Sequence, residues 1–119
     1  MDYKINENYI EVNGAINSEA DVLDIIGVCI SNNIKLLLLR EGTLTEEFIN
    51  LRTGLAGIVL QKFINYNIKA SAVIDMQIEG RFKELVYELN KSNNFKVFDN
   101  NLDAESWILN IISNGDKNE

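Results

Sequence analysis

Ile34-Lys35-Leu36-Leu37-Leu38-Leu39 is an apolar run bounded by polar residues, and it restricts the fold more than any other segment. It is too short for a typical core helix and has the length of a strand. It does not alternate, so both of its faces are predicted to be buried. Strands buried on both faces belong to parallel sheets covered by helices. A parallel neighbour requires a crossover, and the remaining segments supply candidates.

Tyr9-Ile10-Glu11-Val12 alternates like a half-buried strand, and Tyr3-Lys4-Ile5 is placed to pair with it across Asn6-Glu7-Asn8. Asn13-Gly14 breaks that strand. Ser18 reads as an N-cap with Glu19 and Asp21 in the first turn, where carboxylates suit the helix dipole. Val22, Ile25, Ile26, Cys29 and Ile30 form one apolar stripe, and Asn32-Asn33 ends the helix. Thr45 to Ile49 reads as a short helical turn. A further helix runs from about Gly54 to Tyr66, with Leu55, Ile58, Val59 and Phe63 facing a core and Asn67 ending it. Ala70 to Asp75 is a second buried strand. Gly80-Arg81 opens a helix with Phe82, Leu85, Val86 and Leu89 inward. Phe95 to Phe98 is the last strand. Asp103 is the expected cap of a last helix, with Trp107, Ile108, Ile111 and Ile112 inward.

The predicted order is β-β-α-β-α-β-α-β-α. It describes an α/β fold with a mainly parallel sheet and right-handed crossovers. The expected division is one domain over residues 1–113 and a solvated C-terminal tail over residues 114–119. A chain of 119 residues can bury a sizeable single core.

Composition excludes several functions. The net charge of -7 disfavours nucleic acid and anionic membrane surfaces as partners. No apolar run approaches the roughly 18 residues of a membrane helix, and Met1-Asp2-Tyr3-Lys4 lacks the apolar core of a signal peptide, so a cytoplasmic location is expected. The chain has no histidine, which removes the commonest general base and the usual zinc ligand. Its single cysteine, Cys29, sits on an apolar stripe and reads as core. No metal site and no cofactor are expected. The abundance of asparagine and isoleucine fits an AT-rich bacterial genome.

The candidate site centres on Asn50-Leu51-Arg52-Thr53-Gly54-Leu55-Ala56-Gly57. Thr53 is placed to cap the helix that follows, or to accept a phosphate beside Arg52 or Arg40. Gly54 and Gly57 leave the first turn without side-chain bulk, open to a packed backbone, a partner or a ligand phosphate. The strand ends carry Arg40-Glu41, Asp75-Met76 and Asp99-Asn100, and ligands of such sheets bind beyond those ends. The candidate binding residues are therefore Arg40, Glu41, Arg52, Thr53, Gly54, Gly57 and Asp75. Glu46-Glu47 reads as a solvated acidic turn, and no catalytic residue is assigned.

Thr53-Gly54-Leu55-Ala56-Gly57 resembles the motif of STAS domains, the fold of bacterial anti-sigma-factor antagonists. Those proteins carry an acidic residue, one or two serines, then glycine, leucine and glycine at the start of the helix after the third strand. Ile10 to Ile16 is similar to the strand-and-glycine opening of that fold, and Leu36 to Leu39 to its buried third strand. Here Ala56 is inserted, threonine stands at the phosphosite, Leu51-Arg52 replaces the usual aspartate, and Gly42 to Asn50 is longer. With Leu60-Gln61-Lys62-Phe63 the segment resembles more closely still a bacterial family known only as a domain of unknown function. The STAS resemblance implies a non-enzymatic regulatory or interaction domain with a protein partner, a second copy included. The alternative from the residues is a binding protein or enzyme for a small anion or nucleotide. In that reading Arg40, Arg52 and Thr53 hold the anion, and Glu41 or Asp75 serves as acid or base.

Overall fold

The computed structural model describes residues 1–117. Strands β1 (Asp2–Ile5), β2 (Ile10–Asn13), β3 (Leu36–Leu39), β4 (Lys69–Val73) and β5 (Phe95–Phe98) form one sheet in that spatial order. β1 pairs antiparallel with β2, with Tyr3 opposite Val12; every other pairing is parallel. The helices are α1 (Glu19–Asn32), α2 (Glu46–Ile49), α3 (Leu55–Asn65), α4 (Gly80–Leu89) and α5 (Asn101–Lys117), with a 3-10 turn at Leu51–Thr53. The α/β architecture is the one the sequence pattern predicts.

Spatial order follows chain order, so each right-handed crossover lands on the same side. α1, α3 and α4 cover one face, over Ile10, Val12, Leu37, Leu39, Ala70, Ala72, Phe95 and Val97. α5 returns alone across the other face, where Leu38 and Val73 meet Ala104. Ser71 lies fully buried under it and donates to the Ala104 carbonyl at 3.0 Å. β3 therefore lies between helices on both sides, as its unbroken leucines require.

Local signals decide the ends. Ser18 accepts from the Asp21 N–H at 3.4 Å and starts α1; Asn33, at φ 53°, stops it. Asn67, at φ 57°, follows the end of α3 in the same left-handed conformation. Several details differ from the predicted pattern. Ile30 is 64% exposed and Ile58 38% exposed, because the stripes of α1 and α3 are narrower than their apolar residues suggest. Ala56 occupies the packed position instead. Asn100, not Asp103, caps α5, accepting from the Asp103 N–H at 2.8 Å. α5 continues as far as Lys117, into the segment expected as tail, and residues 118–119 lie outside the described residues. Among the described residues of that helix only Ala104 and Ile108 are fully buried; Trp107, Ile111 and Ile112 are half-buried.

Candidate functional site

The carboxyl ends of the strands form a rim, and its first loop is tightly fastened. Thr43 is fully buried, donates its hydroxyl to the Val12 carbonyl at 3.2 Å and accepts the Ile16 N–H on its own carbonyl at 2.9 Å. Thr45 donates to the Ile16 carbonyl at 3.0 Å and accepts the Phe48 N–H, capping α2. Buried polar groups of this kind are satisfied in pairs, so the loop after β3 is locked to the loop after β2.

Arg40 is committed to an ion pair at this rim. Its Nη1 lies 2.5 Å from Glu11 Oε1, while Asn6 donates to Glu11 Oε2 at 3.2 Å and Lys4 Nζ stands 3.8 Å away. Burial alone would raise the Glu11 carboxyl. The hydrogen bonds from Asn6 and Arg40 and the charges of Arg40 and Lys4 outweigh it and hold the group below its ordinary 4.5. The alternation of β2 points Glu11 away from the larger core, yet Glu11 is only 6% exposed. Sequence reasoning treats it as a solvated position; the signal for its burial is a pair of basic residues, Lys4 on β1 and Arg40 just past the end of β3.

The segment before α3 is a knot of short-range bonds. Asn50 Oδ1 accepts from the Arg52 N–H at 3.2 Å. The Thr53 hydroxyl donates towards the carbonyls of Glu47 at 2.6 Å and Asn50 at 2.9 Å, and accepts from the Leu55 N–H at 3.2 Å. Thr53 thus ties the 3-10 turn to α2 instead of sitting at the N-cap of α3. The N-cap is Gly54, at φ 78° and without a side-chain bond. That φ lies where L-residues with a Cβ are strained. Gly57 is different: a Cβ built on it meets nothing within 4 Å. It packs against no part of the fold.

Arg52 lines a cleft of about 610 Å³ together with Ile49, Asn50, Leu51, Glu79, Arg81 and Phe82. One wall is the turn after α2. The other is the start of α4, which has no side-chain cap. Phe48, fully buried, meets Phe82 edge to face with centroids 6.0 Å apart, joining the two walls beneath the cleft. The chain has three arginines. Arg40 is paired with Glu11; among the described residues Arg52 and Arg81 make no ion pair.

The structure therefore groups Arg52, Thr53, Gly54 and Gly57 on one stretch of rim and leaves Arg40 outside the lining of the cleft. Glu41 and Asp75 are exposed and outside it too. Arg81, Glu79 and Phe82 escape sequence reasoning as site residues because nothing local links them to Arg52; only the adjacency of β3 and β4 does. Cys29 is buried, and burial pushes its thiol up to about 11. Among the described residues no cluster of three or more His, Cys, Asp or Glu side chains converges to hold a metal ion, and no helix is long and apolar enough to cross a membrane.

The chain belongs to the family described as Domain of unknown function (DUF4180), whose model matches residues 5–108. The match spans β2 to β5 and the first half of α5, and so includes the fastened rim and the cleft. No curated protein and no solved structure shows a significant match to the chain.

Proposed function

We propose that this is a non-enzymatic, STAS-like regulatory or protein-interaction domain working in the bacterial cytoplasm. Its contact surface is the rim from Arg52 to Gly57. The observation that supports this most directly is Gly57. Glycine inside a helix is unfavourable relative to alanine by roughly 1 kcal/mol. Gly57 stands on the first full turn of α3, exposed, with nothing within 4 Å of the Cβ it lacks. The fold gains nothing from that omission, whereas a partner backbone gains close approach. The Thr53 bonds hold the surface rigid, which lowers the entropy lost on association. Thr53 also remains the candidate phosphosite: a phosphate there would abolish its donation to the Glu47 and Asn50 carbonyls and release the turn.

The test compares proteins recovered from lysate of the source cells by wild type, Gly57→Leu and Thr53→Glu, with melting curves alongside. A partner lost in Gly57→Leu at unchanged melting temperature supports the reading. Equal recovery by all three proteins counts against it.

A further inference from the structure

We infer that the cleft between the turn after α2 and the start of α4 is a binding site for a small organic acid: one carboxylate or phosphate on an apolar body. This site meets the interaction surface at Arg52 and goes beyond it through Arg81, Glu79 and Phe82. The cleft holds about 610 Å³, within the range of small-molecule sites. Two of the chain's three arginines line it from separate elements, and neither is paired among the described residues. In a chain of net charge -7 carrying 18 acidic residues, two such guanidiniums on one cleft are conspicuous. The guanidinium fork matches the geometry of carboxylate and phosphate oxygens. α4 begins beside them without a side-chain cap, so its first-turn N–H groups add donors of the same sign.

The rest of the lining narrows the class. Ile49, Leu51 and Phe82 offer apolar surface to the body of the ligand. Glu79 contributes a carboxylate, which leaves the three charged side chains at a net charge of one positive unit. That balance favours a single anionic group. It opposes polyphosphates and the nucleic acid backbone, as does the acidity of the whole chain.

The experiment titrates the isotope-labelled full chain with phenylacetate, phenyl phosphate, inorganic phosphate and phenol, following backbone amide shifts. Saturable shifts confined to residues 49–53 and 79–82 are expected for phenylacetate or phenyl phosphate, and the tighter of the two identifies the acid group. Inorganic phosphate and phenol, each carrying half of the required chemistry, should bind more weakly by about tenfold or more. Arg52→Gln and Arg81→Gln should each weaken binding by about tenfold, the loss of one charge-assisted contact. Lys91→Gln removes the same charge at the far end of α4 and should change affinity by less than about twofold, since salt screens that distance. Glu79→Gln should tighten binding. The amide spectra themselves report whether each variant is folded. No saturable shift at millimolar probe, shifts centred elsewhere, or equal losses in Lys91→Gln and the arginine variants would overturn the assignment.

Discussion

Phe48 and Phe82 meet edge to face, their rings inclined at 80° and their centroids 6.0 Å apart. Phe48 also stacks on Phe95 at 6.5 Å, and Phe95 on Phe63 at 6.3 Å. The short helix after β3 is thereby pinned to the start of α4 and to the edge strand. A helix of four residues has no stability of its own, so this contact holds the turn that carries Arg52. Phe48→Ala and Phe82→Ala should each destabilise the protein by about 3–5 kcal/mol. In a double-mutant cycle the pair should show a coupling of about 0.5–1.5 kcal/mol beyond the two separate losses. Urea unfolding of the four proteins measures it, and a coupling near zero would mean that the rings merely fill space.

Glu11 and Arg40 give the fold an acid sensitivity. The Glu11 carboxyl lies lower in the folded protein than its ordinary 4.5. A depressed carboxyl contributes stability that is complete above the unfolded value and lost as the pH falls through the folded one. The contribution of this pair should therefore persist at neutral pH and fade below about 4.5. Glu11→Gln should lower stability at neutral pH and flatten the decline on the acid side. Arg40→Met, which leaves a buried carboxylate without its main partner, should be the more damaging change, by about 1–3 kcal/mol at neutral pH. Denaturant midpoints across the acid range for the three proteins check both statements.

Cys29 should be silent in the native state. Its side chain is 2% exposed, and burial pushes the thiol from 9.0 up to about 11. Thiolate is the reactive form, so both access and ionisation oppose modification. A disulfide reagent at mildly alkaline pH should label the folded protein only at the rate of its opening, and the denatured protein at once. Rapid labelling under native conditions would place α1 in a looser packing than the one described.

The fold was legible because its signals are local. The leucines of β3, Ser18 before α1 and Asn67 after α3 each declare their role within a few residues. What was not legible depends on which elements become neighbours. Alternation alone places Glu11 outward; its burial follows from β1 and β3 bringing Lys4 and Arg40 to either side. Ile30 and Ile58 look like core at helical spacing, yet α1 and α3 lie side by side and leave these positions open. Arg52 was visible as a rim residue from its place before the helix. Arg81 was not, because its connection to Arg52 exists only once β3 and β4 are adjacent and their two crossovers emerge together.

Gly54 and Gly57 should respond to alanine in opposite directions. Gly54 holds φ 78°, so Gly54→Ala forces a Cβ into the left-handed region and should destabilise the domain by about 1–2 kcal/mol. Gly57 is helical and its missing Cβ faces empty space. Gly57→Ala should therefore stabilise the domain by about 0.5–1 kcal/mol, the ordinary helix preference. Gly57→Leu should fold with a melting temperature near wild type, since its side chain projects from the surface. Thermal melts of the three variants decide the matter. If Gly57→Ala destabilises, the glycine serves a packing contact of the fold, and its value as a mark of the interaction surface is lost. If Gly57→Ala stabilises and Gly57→Leu alone loses a partner, the omission of that one methyl group is explained by what approaches from outside.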